Sequence, residues 1–389
     1  MIKTKYPVKK IITIGDLHFG AKNNNGRIHI NIKDCIRDFI IPIIKRTIDE
    51  SGGTDGIYIC LMGDICDDKQ QIVAEIYTDI TSIIFELSRL LPTIILIGNH
   101  DTPMTEMVEI NNLKPFKYID NVELVEREIF TIPTVLGENN DFDFLSWNKN
   151  KLHILNQIEK TKSSSKFCFT HLSIAGFVYD GKPINESKHI SLDDIGHYKT
   201  VISGHIHNYQ KSKNTTYVGI PLQISESDHK IENPGVIIFD VENNTQTFIE
   251  NKISPRYINV GYEFHDSVDV TNRYVTVICG IKNYSKIDFD GIRIKLIEKG
   301  AIMVNFEQQF VNHTGATIRE GAVIDTNGEP IIFNLTEKFE QLIDVTDVVP
   351  ISKSEKYNLE ATDKDRLKSS VRTFVRESEL ITKDLDLES

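Results

Sequence analysis

Cysteine is scarce and unpatterned in this chain. The five cysteines, Cys35, Cys60, Cys66, Cys168 and Cys279, make an odd count with no C-x-x-C spacing. That argues against a disulfide framework and a cysteine zinc site, and a reduced, intracellular protein is expected. Long apolar runs are also missing. Nothing approaches the ~20 residues a membrane helix needs. The N-terminal MIKTKYPVKK is basic but has no apolar core of a signal peptide, so a cytoplasmic protein with no membrane partner is expected. Positive charge is in deficit, with a formal balance of −12. Broad, field-driven binding to nucleic acid is disfavoured. A local basic groove, or a site where bound cations reverse the sign, remains compatible. No Walker A sequence, internal repeat or low-complexity tract occurs.

What is present has an order. KKIITIGD, GIYICLMGD and TIILIGNHD are apolar runs that each close on a glycine and a polar residue. Between them lie helical patterns. Ile32, Ile36, Ile40, Ile43 and Ile44 form one stripe, with Pro42 as a bending point. Ile72, Ile76, Ile80, Ile83, Ile84, Leu87 and Leu91 form another, which predicts a helix from about Gln70 to Leu91. Continuous apolar strands alternating with helices predict an α/β sheet covered on both faces. Functional groups gather at the carboxyl ends of such strands. A β-rich stretch follows: ELVEREIFTI, DFDFLSW, SKFCFTH, TVISGH, TTYVGIPLQIS and GVIIFDVENNTQTFIENK, the last with Asn243-Asn244 as a hairpin turn. A smaller unit begins near Val268, with a strand at YVTVICGI, a helix over Asp288–Lys299 and a strand at AIMVNFE. A tail helix is expected over Asp363–Leu380. Its Leu367, Val371, Phe374 and Val375 share one face.

Five apolar runs end in Asp16 and His18, Asp64, Asn99 and His100, His171, and His205 and His207. Any one of these is an ordinary strand-end residue. All of them in this order make a constellation. Two divalent ions about 3.5–4 Å apart need a carboxylate between them. Imidazole with carboxylate suits manganese, iron or zinc, whereas an all-oxygen site favours magnesium or calcium. Asn99 offers a neutral oxygen, so an anionic phosphate can still approach. His100 follows it as a candidate general acid, with Asp101 next in sequence to orient it.

The blocks GDLH, GDICDD, GNHD, TH and GHIH resemble the five motifs of the calcineurin-like metallophosphoesterase superfamily over about residues 10–250. Within it the chain is similar to nuclease subunits of double-strand-break repair complexes, the bacterial SbcD type and the T-even-like phage recombination endonucleases. YVGIPLQIS after GHIH, the closing hairpin, and the small α/β unit with a terminal helix carry that finer likeness. It weakens after about residue 280.

The resemblance implies an α/β (α+β) four-layer sandwich of two central sheets flanked by helices. Residues 1–256 would form the nuclease domain, 257–335 a small α/β cap that binds DNA, and 336–389 a helical segment that binds an ATPase. It implies two divalent ions, manganese first, with iron or magnesium as alternatives. Asp16, His18, Asp64 and His207 would hold one, and Asp64, Asn99, His171 and His205 the other, with His100 and Asp101 as catalytic residues. It implies DNA and a coiled-coil ABC-type ATPase as partners, a homodimer within a heterotetramer, and the host cytoplasm if phage-encoded. Where some members carry a histidine three positions after the second-motif aspartate, this chain has Asp67, so that residue's DNA-positioning role does not transfer.

Two other readings compete. One is a small-molecule or nucleotide phosphodiesterase or phosphatase of the same superfamily. Its serine/threonine branch, with GDxVDRG and GNHE, fits GDICDD and GNHD poorly. The other is a structural subunit with a decayed site, which the full set of ligand residues opposes.

Overall fold

The computed structural model describes residues 6–103, 109–179, 181–280 and 287–311, with short strands at 317–318, 323–324 and 330–331. Four strands, β1 (Lys10–Ile14), β2 (Ile57–Leu61), β3 (Thr93–Leu96) and β4 (Val122–Val125), run parallel side by side. A second sheet takes β5 (Phe130–Ile132), β6 (Asp141–Leu145), β7 (Ser165–Thr170), β8 (Thr200–Ser203), β9 (Gln210–Ser212) and β10 (Thr215–Tyr217), in the order β9-β10-β8-β7-β6-β5. The chain then returns to the first sheet. β11 (Gly235–Asp240) lies antiparallel to β1, and β12 (Thr245–Glu250) closes the edge through a turn in which Asn244 has φ 51°.

The expected reading of ELVEREIFTI as one strand is corrected. Its two halves are β4 and β5, which belong to different sheets, and the polar Glu126-Arg127-Glu128 carries the crossing. The second helix also starts later than predicted, at Ala74. Asp68 Oδ1 accepts from the amides of Gln70 and Gln71 at 2.7 and 2.8 Å, which holds that stretch in an Asx turn.

The inner faces of the two sheets meet in an aromatic core. Phe142, Phe144, Phe167, Phe169 and Phe239 pack with Ile11, Tyr58, Ile94 and Ile202, all fully buried or nearly so. Phe142 and Phe169 cross edge to face at 4.6 Å. Each buried ring contributes about 1.5–3 kcal/mol. The outer face of the first sheet is covered by the helices Gly26–Cys35, Ile41–Ser51 and Ala74–Leu90, through Ile28, Ile32, Ile44, Ile80 and Ile84. The first stripe is not one unbroken α-helix: a π-helical stretch at Ile36–Ile40 interrupts it, and Pro42 sits at the start of Ile41–Ser51, where its missing amide costs least. The outer face of the second sheet packs Cys168, Val201 and Tyr217 with Ile154 and Ile158 of the helix Lys151–Thr161. Helix, sheet, sheet and helix make the four layers expected. All five cysteines are free and buried.

The chain divides into two compact units, one of residues 1–277 with 289–305, the other of 278–288 with 306–389. In the first, the helix Phe289–Glu298 lies close to its predicted limits. In the second, Phe310 pairs with Ile318, and Val323–Ile324 pairs with Pro330–Ile331. The expected tail helix lies outside the described residues. Among the described residues no helix is long and apolar enough to cross a membrane.

Candidate metal centre

β1, β2 and β3 end side by side, and the loops that follow are stitched together. The amides of Leu17 and His18 donate to the Asp64 carbonyl at 3.1 and 2.9 Å, and that of Phe19 donates to Ile65. β7 and β8 deliver His171, His205 and His207 to the same end from the second sheet. Three of these residues take left-handed backbone conformations: His18 at φ 48°, Asp64 at φ 48° and His205 at φ 87°. Such angles cost a side-chain-bearing residue free energy and gather where function over-determines the backbone. Gly98 is needed for a different reason. A Cβ there would collide with the Asp64 carboxylate.

The structure brings all seven sequence-predicted ligand residues together. Asp64 lies between two groups. Its Oδ2 is 3.3 Å from His171 Nε2 and 3.9 Å from His18 Nε2, while its Oδ1 accepts from the His100 amide at 2.7 Å. On one side, Asp16, His18 and His207 converge, with His18 Nε2 and His207 Nε2 facing each other at 3.1 Å. On the other, His171 and His205 converge with Asp64, and Asn99 Oδ1 lies 3.3 Å from His171 Nε2.

Outer contacts set the tautomers. His171 Nδ1 donates to the Met62 carbonyl at 2.7 Å, which leaves Nε2 as the nitrogen aimed inward, able to ligate once it gives up its proton. Asp228 Oδ1 lies 3.4 Å from His207 Nδ1, and its Oδ2 accepts from the amides of Ile224 and Ser225 at 3.0 and 2.9 Å. His18 Nδ1 is 3.0 Å from Asp67 Oδ1, although poorly aligned as a hydrogen bond. His205 Nε2 meets Ser173 Oγ at 2.8 Å, and its buried Nδ1 has no hydrogen-bond partner among the described residues.

The charges are mutually dependent. Burial opposes ionisation of Asp64, yet His171 and His18 overcome it and hold its pKa well below the usual carboxylate range. Asp16 is raised by burial. Burial also disfavours the charged forms of His18 and His171, but Asp67, Asp64 and Asp16 raise His18 to about 9, and Asp64 and Asp16 raise His171 to about 9. His205 is lowered to about 3 by burial and by His171. Acceptors and imidazoles packed this closely, with facing ring nitrogens and an orphaned buried nitrogen, fit divalent cations: each lone pair then has a partner without a shared proton.

The expectation that Asp101 orients His100 is corrected. His100 Nδ1 lies 2.6 Å from the Asp67 carbonyl. The Asp101 carboxylate instead accepts from the amides of Cys66 at 2.9 Å and Gly98 at 2.8 Å, clasping two site loops together. Burial and the nearby Asp64 charge push its pKa up to about 7. Sequence reasoning assigned no role to Asp228 or Ser173, and left that of Asp67 open. Asp228 had a signal in S-E-S-D: Ser225 and Asp228 form a capping box around the turn Glu226–Lys230.

The family model of the calcineurin-like phosphoesterases matches residues 9–209. The chain belongs to this family. Its members are phosphoester hydrolases, and the groups Asp16, His18 and His207, His18, Asp67 and His100, and Asp64, His171 and His205 all lie within the matched segment. Among curated proteins, this calcineurin-like phosphoesterase is similar to the "Exonuclease subunit 1" of Enterobacteria phage T4. The two are 28% identical over 280 residues, which covers 69% of this chain and 76% of the relative.

Proposed function

We propose that the chain is a two-metal phosphodiesterase that cleaves DNA, acting as the nuclease subunit of a complex with a coiled-coil ABC-type ATPase. The observation that carries the two-metal reading is Asp64 Oδ2 lying between His18 Nε2 and His171 Nε2. One carboxylate oxygen serving both sides is what a bimetallic site needs. Asp16, His18, Asp64 and His207 would hold one ion, and Asp64, Asn99, His171 and His205 the other. The family resemblance puts manganese first, with iron or magnesium as alternatives, and the mixed imidazole and carboxylate donors are compatible with such ions. When bound, such ions supply Lewis acidity toward phosphate and make water acidic enough to attack at neutral pH.

The chain's own residues do the rest. The Asp67 carbonyl takes one ring proton of His100, so Nε2 is the atom that holds and gives a proton to the departing 3′ oxygen. DNA as substrate and an ATPase as partner draw support from the relative's description as an exonuclease subunit. Residues 1–256 would form the nuclease domain, 257–335 a cap that binds DNA, and 336–389 the segment that docks the ATPase, within a heterotetramer built on a homodimer.

The test is incubation of the purified chain with linear DNA and Mn²⁺, with and without the co-expressed ATPase. Metal-dependent cleavage that leaves 5′-phosphate and 3′-hydroxyl ends is expected. Activity that survives chelation, or 3′-phosphate products, would overturn the assignment.

A further inference from the structure

A pocket of about 330 Å³ opens beside Ser173, the residue whose hydroxyl meets His205 Nε2 at 2.8 Å. Trp147, Lys149, Lys151, Lys188 and His189 line it. Its placement is built into the fold. The Trp147 amide donates to the Ile97 carbonyl at 2.9 Å, so the second residue after β6 is fastened to the run that delivers Asn99. Lys151 opens the helix Lys151–Thr161, and its Nζ donates to the Glu186 carbonyl at 3.1 Å, joining the two walls. Among the described residues none of Lys149, Lys151 and Lys188 is ion-paired. The lysines converge closely enough that, after burial, the charges of Lys151 and Lys188 lower the pKa of His189. A second pocket, of about 470 Å³, continues from Asn148 and Lys149 to Arg127 and His153. Arg127 is partly offset by Glu109 at 3.4 Å.

A chain of formal charge −12 here concentrates cations around its single tryptophan, next to a phosphoester-cleaving centre. An aromatic face with flanking cations is the pattern that holds an unpaired nucleic-acid strand. The base stacks, the phosphates pair with the cations, and a duplex cannot offer an unstacked base. We propose that this pocket seats the nucleotide next to the scissile phosphate of single-stranded DNA, with its base on the Trp147 indole and its phosphates on Lys149, Lys151 and Lys188. The proposal rests on the nuclease reading above and deepens it: the enzyme would take its substrate as a single strand or a frayed end.

The sole tryptophan is also the reporter. The full-length protein with Mn²⁺ is titrated with a short phosphorothioate oligothymidylate, binding being followed by anisotropy of the labelled strand and stacking by tryptophan emission. Saturable quenching that tracks binding is expected. Trp147→Ala should raise KM for a single-stranded oligonucleotide about 5- to 150-fold, the range that 1–3 kcal/mol per stacked base gives, with kcat little changed. Trp147→Phe should restore most of that loss. Lys188→Ala should flatten the slope of log Kd against log salt by about 0.7. Binding without quenching, no binding at all, or a Trp147→Ala variant that loses kcat and thermal stability at unchanged KM would each overturn the pocket. Quenching with no cleavage under any divalent metal would sink the nuclease reading and leave the nucleotide pocket standing. Cleavage with no quenching would do the reverse.

Discussion

Asp64 meets His18, His171 and the His100 amide with one carboxylate, so on the two-metal proposal its removal and that of His100 should separate cleanly. Asp64→Ala is expected to abolish hydrolysis and to weaken both metal-binding steps in a calorimetric titration. His100→Ala should bind both ions normally and cleave about 10²–10⁴ times more slowly, as for loss of proton transfer. If that variant also loses an ion, His100 is a ligand and not the acid. Asp67 divides its roles between side chain and backbone. Its carboxylate lies 3.0 Å from His18 Nδ1 and its carbonyl 2.6 Å from His100 Nδ1. Asp67→Ala removes only the first contact. Metal affinity is expected to fall about 10- to 100-fold, as for other outer contacts to ligands, while the cleavage rate at saturating metal changes little.

The same residues set a pH dependence whose sign reverses on metal loading. In the metal-free protein His18 and His171 have pKa values of about 9, above the ordinary ~6.5 of an unfolded chain. Their contribution to stability is present below ~6.5 and is lost as pH rises toward 9. Divalent ions need those nitrogens deprotonated, so metal affinity should rise over that same window, with release of protons. Melting temperatures with chelator and with Mn²⁺, taken between pH 6.5 and 9, should therefore diverge steadily. Curves that run parallel would show that these histidines are not the groups the metal displaces.

Single elements show what a sequence can and cannot disclose. The strand-end residues were legible because apolar runs closing on Gly-Asp, Gly-Asn-His or Gly-His-Ile-His are local patterns; continuous apolar strands implied a sheet covered on both faces, and the four-layer sandwich came from the family resemblance. The break in ELVEREIFTI was not legible, since periodicity carries no mark of which sheet each half joins. Asp101 was misread for a related reason: adjacency in sequence to His100 says nothing about direction, and its carboxylate points back to the amides of Cys66 and Gly98. Two substitutions test element-level packing. Gly98→Ala drives a methyl into the Asp64 carboxylate, so metal binding should be lost although neither β3 nor its neighbours is altered. Phe142→Ala opens the space between the sheets and should cost about 3–5 kcal/mol, read as a large fall in melting temperature. An unchanged melting temperature would mean that the inter-sheet core is not where stability resides.

At the scale of the whole molecule, every candidate ligand precedes residue 208, and Asp228, in contact with His207, lies far ahead of the tail. A chain ended at Ile351 keeps the entire centre. It is expected to retain metal-dependent cleavage of short DNA and to stop co-purifying with the ATPase. Pull-down and melting temperature measured together decide the matter: an undiminished pull-down rejects docking through the tail, and a collapsed melting temperature shows that the tail belongs to the protein's own core.

The pairing of Lys10 with Asp240 sets the order of events during synthesis. β1 emerges from the ribosome first, yet the strand that shields its outer edge is made some two hundred residues later. Closing so long a loop is slow, and it comes after most of the domain already exists as chain. Asp16 and His18 hang from that early strand, while His205 and His207 come from the other sheet. No cation can find its full set of donors on a nascent fragment. Phosphoester hydrolysis is therefore expected only once both sheets are in place. Stalled chains released before residue 200 should accordingly show neither metal uptake nor cleavage.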